Sequence, residues 1–248
     1  MSQRPDYGID APGVIRNLAL IGTALLLLAL FTPPIWHLGP VALNARISFT
    51  FPGVLCLVEA VLMVLYSKYG KFHHADKMVA RVDWRGDEHV LDVGTGRGLL
   101  LVGGARKLTS GKAIGIDIWN TADLSGNALE RTQHNLDLEG VAARCELRSE
   151  DASQMSFPDD SFDVVLSNLC LHNIYDKPKR LRACREIVRV LKPGGLAVIS
   201  DYKLTAEYAD EFRAAGLDVS RSGLEALTTF PPLRVIVARK SARAAASA

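Results

Sequence analysis

Two kinds of apolar periodicity divide the chain near residue 72. Before that point charge is almost absent. Residues 18–36 run without a charged side chain around LALIGTALLLLALF. At about 1.5 Å per helical residue, such a run approaches the ~30 Å hydrocarbon thickness of a bilayer. Pro33 and Pro34 stand near its end, and Trp36 suits a membrane interface. A second apolar stretch, residues 47–66, lies between Arg46 and Lys68 and contains Pro52, Gly53 and Glu59, which makes it the weaker span. The pattern predicts two antiparallel apolar helices, a membrane-anchoring hairpin over residues 1–72. Arg4 and Arg16 precede the first helix, Lys68 and Lys71 follow the second, and Arg46 alone lies between. That bias places both ends, and whatever follows residue 72, on the cytoplasmic face of a cell membrane in a multi-pass arrangement. A cleaved signal peptide fits less well, because residues 37–46 offer no A-x-A-like site and a second apolar segment follows. Packed core helices of a soluble protein are the remaining alternative. Glu59 is read either as solvated or protonated, or as a contact to a substrate headgroup.

From residue 73 the period changes. Short apolar runs at 89–94, 112–117, 143–148, 162–168 and 196–202 read as buried strands. Helical patterns at 97–108, 125–139, 179–191 and 205–215 separate them. A Lys192-Pro193-Gly194-Gly195 turn stops the third of these helices. Two further strands are expected near 217–222 and 233–239, and the residues 241–248 read as a flexible tail. Alternating strands and helices predict an α/β domain over 73–240: a parallel sheet covered on both faces, with ligands at the carboxyl ends of its strands.

Composition adds two constraints. The 248 residues carry a formal net charge of +2, and residues 1–72 account for all of it. The α/β half, with 24 basic and 24 acidic residues, lacks the electrostatic footprint of a nucleic-acid binder, so none is expected as a partner. The four cysteines form no C-x-x-C pair, which supports neither a zinc ribbon nor a disulfide scaffold and fits a reducing compartment. His73 and His74 read as part of a solvated helix rather than as metal ligands, and no metal site is expected.

The loop after the first predicted strand reads Asp92-Val93-Gly94-Thr95-Gly96-Arg97-Gly98. Its G-x-G-x-G spacing matches neither the dinucleotide fingerprint nor the P-loop. Glycines let a ligand approach the backbone closely. Asp117 ends the second strand, where a carboxylate can accept from both hydroxyls of a ribose. Asp151 follows the third, where an acid can accept from the exocyclic amine of a base. Three carboxylates around a glycine loop suit a nucleoside and would repel a pyrophosphate.

These segments resemble the class I S-adenosylmethionine-dependent methyltransferases. The resemblance rests on VLDVGTGRG at 90–98, GID at 115–117, SEDASQMSFPDDSFDVVLSN at 149–168 and RVLKPGG at 189–195. It implies a Rossmann-like seven-stranded sheet whose last strand is antiparallel, S-adenosylmethionine as cofactor and methyl transfer as activity. It further implies that Gly94, Thr95, Gly96 and Gly98, with Asp92 in the same loop, surround the methionine part. Asp117 would hold the ribose, Ile118 would flank the adenine, and Asp151 and Ala152 would meet its edge. Asn168 is expected on the cofactor side. His172 is the candidate general base, since imidazole is the side chain that titrates nearest neutrality. Asp201 and Tyr202 are candidates for the acceptor pocket, and Cys170 for a soft ligand or thiol chemistry. With no large insertion to act as a lid, the hairpin and residues 67–85 are expected to cover the acceptor site. That favours a small, lipophilic or membrane-associated acceptor. The alternatives are a soluble small-molecule, thiol or metalloid methyltransferase capped by its N-terminal helices, and a membrane protein that binds the cofactor without turnover. The sequence leaves the oligomeric state open.

Overall fold

The computed structural model describes residues 4–242; residues 243–248 of the expected tail lie outside that range. The chain opens with α1 (Pro12–Phe31), whose first position is a proline pre-set for helical φ. A small antiparallel ribbon, β1 (Trp36–Leu38) and β2 (Val41–Leu43), turns the chain where a plain loop was expected. In α2 (Ala45–Leu65) the Asn44 side chain caps the start by accepting from the Ile47 N–H at 3.0 Å.

Both helices are long and apolar enough to cross a membrane. Their outward faces carry exposed Leu20, Leu30, Phe31, Phe51 and Val61. They touch where small residues meet: a Cβ on Gly22 would lie 2.8 Å from the Gly53 carbonyl oxygen, and one on Gly53 3.1 Å from that of Gly22. Close backbone approach at paired glycines is how apolar helices associate without a hydrophobic driving force. Gly53→Leu is therefore expected to splay the hairpin at an overpacking cost of about 1–3 kcal/mol. The melting temperature in detergent should drop by roughly 3–8 °C; an unchanged melt would mean that the crossing does not matter. Glu59 is half-buried on α2 and makes no ion pair among the described residues.

A single π-helical turn, Tyr66–Gly70, joins α2 to α3 (Lys71–Val79) without a break. Through it, the apolar helix runs straight into the second layer of the α/β half. There Ala75, Met78 and Val79 are buried against Leu101 and Val102. The remaining elements follow as β3 (His89–Val93), α4 (Leu99–Ala105), β4 (Lys112–Asp117), α5 (Leu129–Leu138), β5 (Cys145–Ser149), β6 (Phe162–Asn168), α6 (Lys177–Val190), β7 (Leu191–Asp201), α7 (Thr205–Ala214), β8 (Asp218–Arg221) and β9 (Arg234–Arg239). Seven strands form one sheet in the order β5-β4-β3-β6-β7-β9-β8, parallel except for β9.

Strand alternation builds a core on each face. Val90, Val164 and Val198 turn to the side of α3 and α4, while their neighbours Leu91, Val165 and Ile199 turn to the side of α6 and α7. The order reverses between β3 and β6, which places the switch point, and the crevice it opens, at the tips of those two strands.

Three expectations need correction. Lys192–Gly195 does not form a turn after the helix. The chain enters the sheet at Leu191, opposite Phe162, and bulges through the glycines before Leu196 resumes the ladder opposite Val164. A strand neighbour was available there, and the glycines supply the bulge. The helix expected over 125–139 begins only at Leu129, and residues 119–128 form an irregular loop. His74 is not solvated. It is fully buried, with Nε2 2.7 Å from the Ser200 hydroxyl on β7, because the continuous α2–α3 rod presses this face of α3 onto the sheet.

Candidate cofactor and acceptor site

The tips of β3, β4, β5, β6 and β7 converge on one side of the sheet, and most of the residues singled out from sequence meet there. Gly94, Gly96 and Gly98 all have positive φ, at 72°, 53° and 84°, so the loop between β3 and α4 takes a course that other residues resist. A Cβ on Gly94 would fall 2.2 Å from Cys170 Sγ, and one on Gly96 2.9 Å from a Leu124 methyl. These two side chains line the cradle above the loop. Two non-glycine residues, Trp119 and Leu169, also sit at φ near +55 to +60°, directly after the tips of β4 and β6. Such backbone strain costs on the order of 1–2 kcal/mol each and gathers where geometry serves a site.

Asp117 organises the loop. Its Oδ2 accepts from the Gly96 N–H at 2.8 Å, while Oδ1 accepts from the Trp119 N–H at 2.6 Å and from Asn127 Nδ2 at 3.1 Å. Of the roughly four lone-pair positions of a carboxylate, three are filled. Receiving both hydroxyls of a ribose requires one of these donors to let go. Asn127 and the Thr132 hydroxyl, which donates to the Gly96 carbonyl at 2.7 Å, are positioning residues that the sequence reading missed. Nothing in their local pattern distinguishes them from ordinary loop and helix residues.

Asp92 lies inside β3 and is fully buried; its Oδ2 accepts from the Thr95 hydroxyl at 2.8 Å. Burial pushes its carboxyl up to about 7; the Thr95 hydroxyl opposes that shift and the nearby Asp117 charge adds to it. Between about pH 4 and pH 7 the folded chain thus keeps a proton that the unfolded chain has lost, and this group's contribution to stability falls as pH rises through that window. Relative to wild type, Asp92→Asn is expected to gain roughly 5 °C in melting temperature between pH 5 and pH 8. The paired comparison isolates this carboxyl from histidines titrating in the same range. A difference that stays constant with pH would refute the assignment.

At the third tip, Asp151 accepts from the Ser153 N–H and hydroxyl at 2.8 and 2.7 Å and pairs with Lys179 at 2.7 Å. Ala152 packs partly buried beside it, and Ile118 stands two-thirds exposed beyond β4. At the tip of β6, the Asn168 Oδ1 atom is buried without a hydrogen bond. The Tyr66 hydroxyl, delivered by the π-helical turn, is buried with the Asn168 side chain as its polar neighbour. An unsatisfied amide oxygen at a strand tip points to a ligand beside it.

His172 follows in a short 3-10 turn, Leu171–Asn173. Its Nδ1 lies 2.8 Å from Asp201 Oδ1, within ion-pair distance though bent away from good hydrogen-bond alignment. Asp201 is fully buried at the end of β7. It accepts from the His172 N–H at 3.2 Å, the Tyr202 N–H at 2.8 Å and the Tyr208 hydroxyl at 3.3 Å. The Tyr202 ring meets the imidazole edge-on, 4.7 Å between centroids. An imidazole oriented by a buried carboxylate is the arrangement of a general base and its positioner. The pairing was not legible beforehand because the two residues belong to different strand ends.

The N-terminal arm closes the other side. Residues 9–11 pair with 123–125 through an Asp10–Leu124 bridge, with the Ala11 N–H donating to the Asp123 carbonyl at 2.8 Å and the Ser125 N–H to that of Ile9 at 3.0 Å. Lys71 fixes the arm from below, donating to the Tyr7 and Gly8 carbonyls at 2.7 Å each.

Residues 91–199 match a family model described as a methyltransferase domain. Over those residues the chain carries a methyltransferase domain. Relatives extend the match. The ubiquinone/menaquinone biosynthesis C-methyltransferase of Vibrio campbellii is 33% identical over 119 residues, 48% of this chain and 42% of that protein. The demethylmenaquinone methyltransferase of Symbiobacterium thermophilum is 33% identical over 129 residues, 52% of this chain and 47% of its own. The chain thus spans less than half the length of these curated relatives. Among solved structures, a methyltransferase from Aquifex aeolicus superposes with a TM-score of 0.53 at 18% identity, over 66% of this chain and 88% of that one. The cyclase SpnF superposes with 0.58 at 17% identity over 97% and 99%. At such identities the likeness concerns the fold alone, and the cyclase shows that one methyltransferase fold can serve another reaction.

The methyltransferase domain's residues fit S-adenosylmethionine. A glycine cradle admits close backbone approach, a carboxylate ends β4, and the buried Asn168 oxygen is without a partner. Among the described residues no group of three or more His, Cys, Asp or Glu is gathered as for a metal.

Proposed function

We propose that this protein is a membrane-anchored methyltransferase that acts on a small lipophilic acceptor of the quinone-precursor type. One observation carries the reading. The second apolar helix ends on the strand tips, where its π-helical turn sets Tyr66 against Asn168. An acceptor dissolved in the bilayer would thereby reach the site along the hairpin without crossing water. The names of the relatives point the same way, since they specify quinone precursors and, in a Neurospora crassa relative 31% identical over 138 residues, a sterol. In this arrangement α1 and α2 both cross the bilayer and the domain faces the cytoplasm.

When bound, S-adenosylmethionine supplies a methyl group on a positively charged sulfur, so catalysis is chiefly alignment in a dry site. The chain's own groups divide that work. The loop from Gly94 to Gly98, with Thr95 and Asp92 beneath it, would seat the methionine part; Asp117 would hold the ribose. Ile118, Asp151 and Ala152 would border the adenine, and Asn168 would contact the cofactor near the transferred group. His172 would take the proton from an acidic hydroxyl of the acceptor at Nε2. Asp201 beside Nδ1 favours the tautomer that leaves Nε2 free.

The test is incubation of methyl-labelled S-adenosylmethionine with the full-length protein and an organic extract of membranes. Label is expected in the organic phase with wild type and to be absent with Asp117→Ala. Label confined to water-soluble products would overturn the acceptor class. Release of the protein from membranes by alkaline carbonate would overturn the anchor.

A further inference from the structure

We infer that the root of the hairpin carries a binding site for the phosphate headgroup of an anionic glycerophospholipid, on the outer side of the cofactor loop. The inference rests on the membrane reading above. A cavity of about 400 Å³ opens between residues 5–9, residues 67–72, Arg97 and Arg131, a size within the range of small-ligand sites. Its walls are the segment that leads directly into α1 and the segment that leads directly out of α2. It therefore sits at the end of both helices opposite the β1–β2 ribbon, at the depth of lipid headgroups when the hairpin spans a bilayer. Exposed Tyr69 and partly exposed Phe72 stand at the same level, as interfacial aromatics do.

The charge of the lining suits an anion. Lys68, Lys71, Arg97 and Arg131 face a single acid, Asp6. Lys71 is committed to two carbonyls and to Asp10 at 3.3 Å. Arg97 is 6% exposed; it pairs with Asp6 at 3.1 Å and donates to the Ser125 carbonyl, yet its Nε is buried without any partner. Lys68 and Arg131 are exposed and make no ion pair among the described residues. Two free cations and an unsatisfied buried guanidinium donor around a cavity at headgroup depth are what a phosphodiester would complete. Because residues 5–9 form one wall, an occupant also braces the arm that holds Leu124 over Gly96.

The experiment uses full-length protein in a neutral detergent and follows its melting temperature as short-chain phosphatidylglycerol, short-chain phosphatidylcholine or inorganic phosphate is added. A saturable rise is expected with phosphatidylglycerol alone. The double variant Lys68→Ala, Arg131→Ala, whose side chains are both exposed, should need at least about tenfold more lipid for the same rise. The control Lys107→Ala, Arg221→Ala should respond as wild type. An equal response to phosphatidylcholine, an unaltered response of the double variant, or an equal loss in the control overturns the site. A rise with inorganic phosphate that depends equally on Lys68 and Arg131 overturns the lipid as its source. Carbonate extraction of the same variants reports the hairpin's insertion separately, so failure of the headgroup site and failure of the anchor give different results.

Discussion

Asp117→Ala is expected to weaken S-adenosylmethionine binding at least about 100-fold and to abolish methyl transfer at ordinary cofactor concentrations. The carboxylate ties the Gly96 N–H, the Trp119 N–H and Asn127 together. A hydrogen bond to a charged group is worth about 1.5–3 kcal/mol, so losing one ligand contact and one loop contact suffices for two orders of magnitude. Removing the side chain also leaves the Trp119 backbone, held at φ 59°, without the acceptor that offsets its strain. Asp117→Asn should recover part of the affinity, because its remaining oxygen can still receive one donor. Titration calorimetry is the direct measurement, and an alanine variant that binds within threefold of wild type would remove Asp117 from the cofactor site.

The second large effect is expected at the His172–Asp201 pair. A positioned general base contributes about 10²- to 10⁴-fold, so His172→Gln should lower kcat by that order while leaving cofactor affinity unchanged. Asp201→Asn should act in the same direction through His172. Its buried place beneath Tyr202 and Tyr208 makes some loss of stability expected as well. What separates positioning from mere structural support is the double variant: a positioning Asp201 costs little further kcat once His172→Gln is in place, whereas a structural one lowers kcat in both backgrounds. If His172→Gln leaves kcat intact, the acceptor loses no proton in the rate-limiting step and the base assignment falls.

Much of the sheet was legible because its strands are short apolar runs closed by a polar tip. KAIGID and FDVVLSN fold over the residues expected, 112–117 and 162–168. The glycine loop was legible because backbone demands restrict residue type there. What escaped depends on partners distant in sequence. His74 looks solvated in KFHHADK, and only the unbroken rod from α2 through the π turn drives it onto Ser200. Lys192–Gly195 has the composition of a turn and becomes a strand bulge because β6 offers it a ladder. Asp201 stands out in the sequence as an acceptor-pocket candidate, but its pairing with His172 emerges only when β6 and β7 are placed side by side. The loop at 119–128 carries no period at all, and its shape comes from Asp117 and from the arm at residues 9–11.

That arm has a practical bearing on attempts to work with the enzymatic half alone. Residues 9–11 and Tyr66 sit at the domain-facing ends of the apolar helices; the first hold Leu124 over the glycine loop and the second stands beside Asn168. A truncation that begins at residue 73 for the sake of solubility would strip Leu124 of its bridge and take away the phenol beside Asn168. Such a fragment would keep the sheet and lose the pocket, so poor cofactor uptake by it would report the cut rather than the native protein.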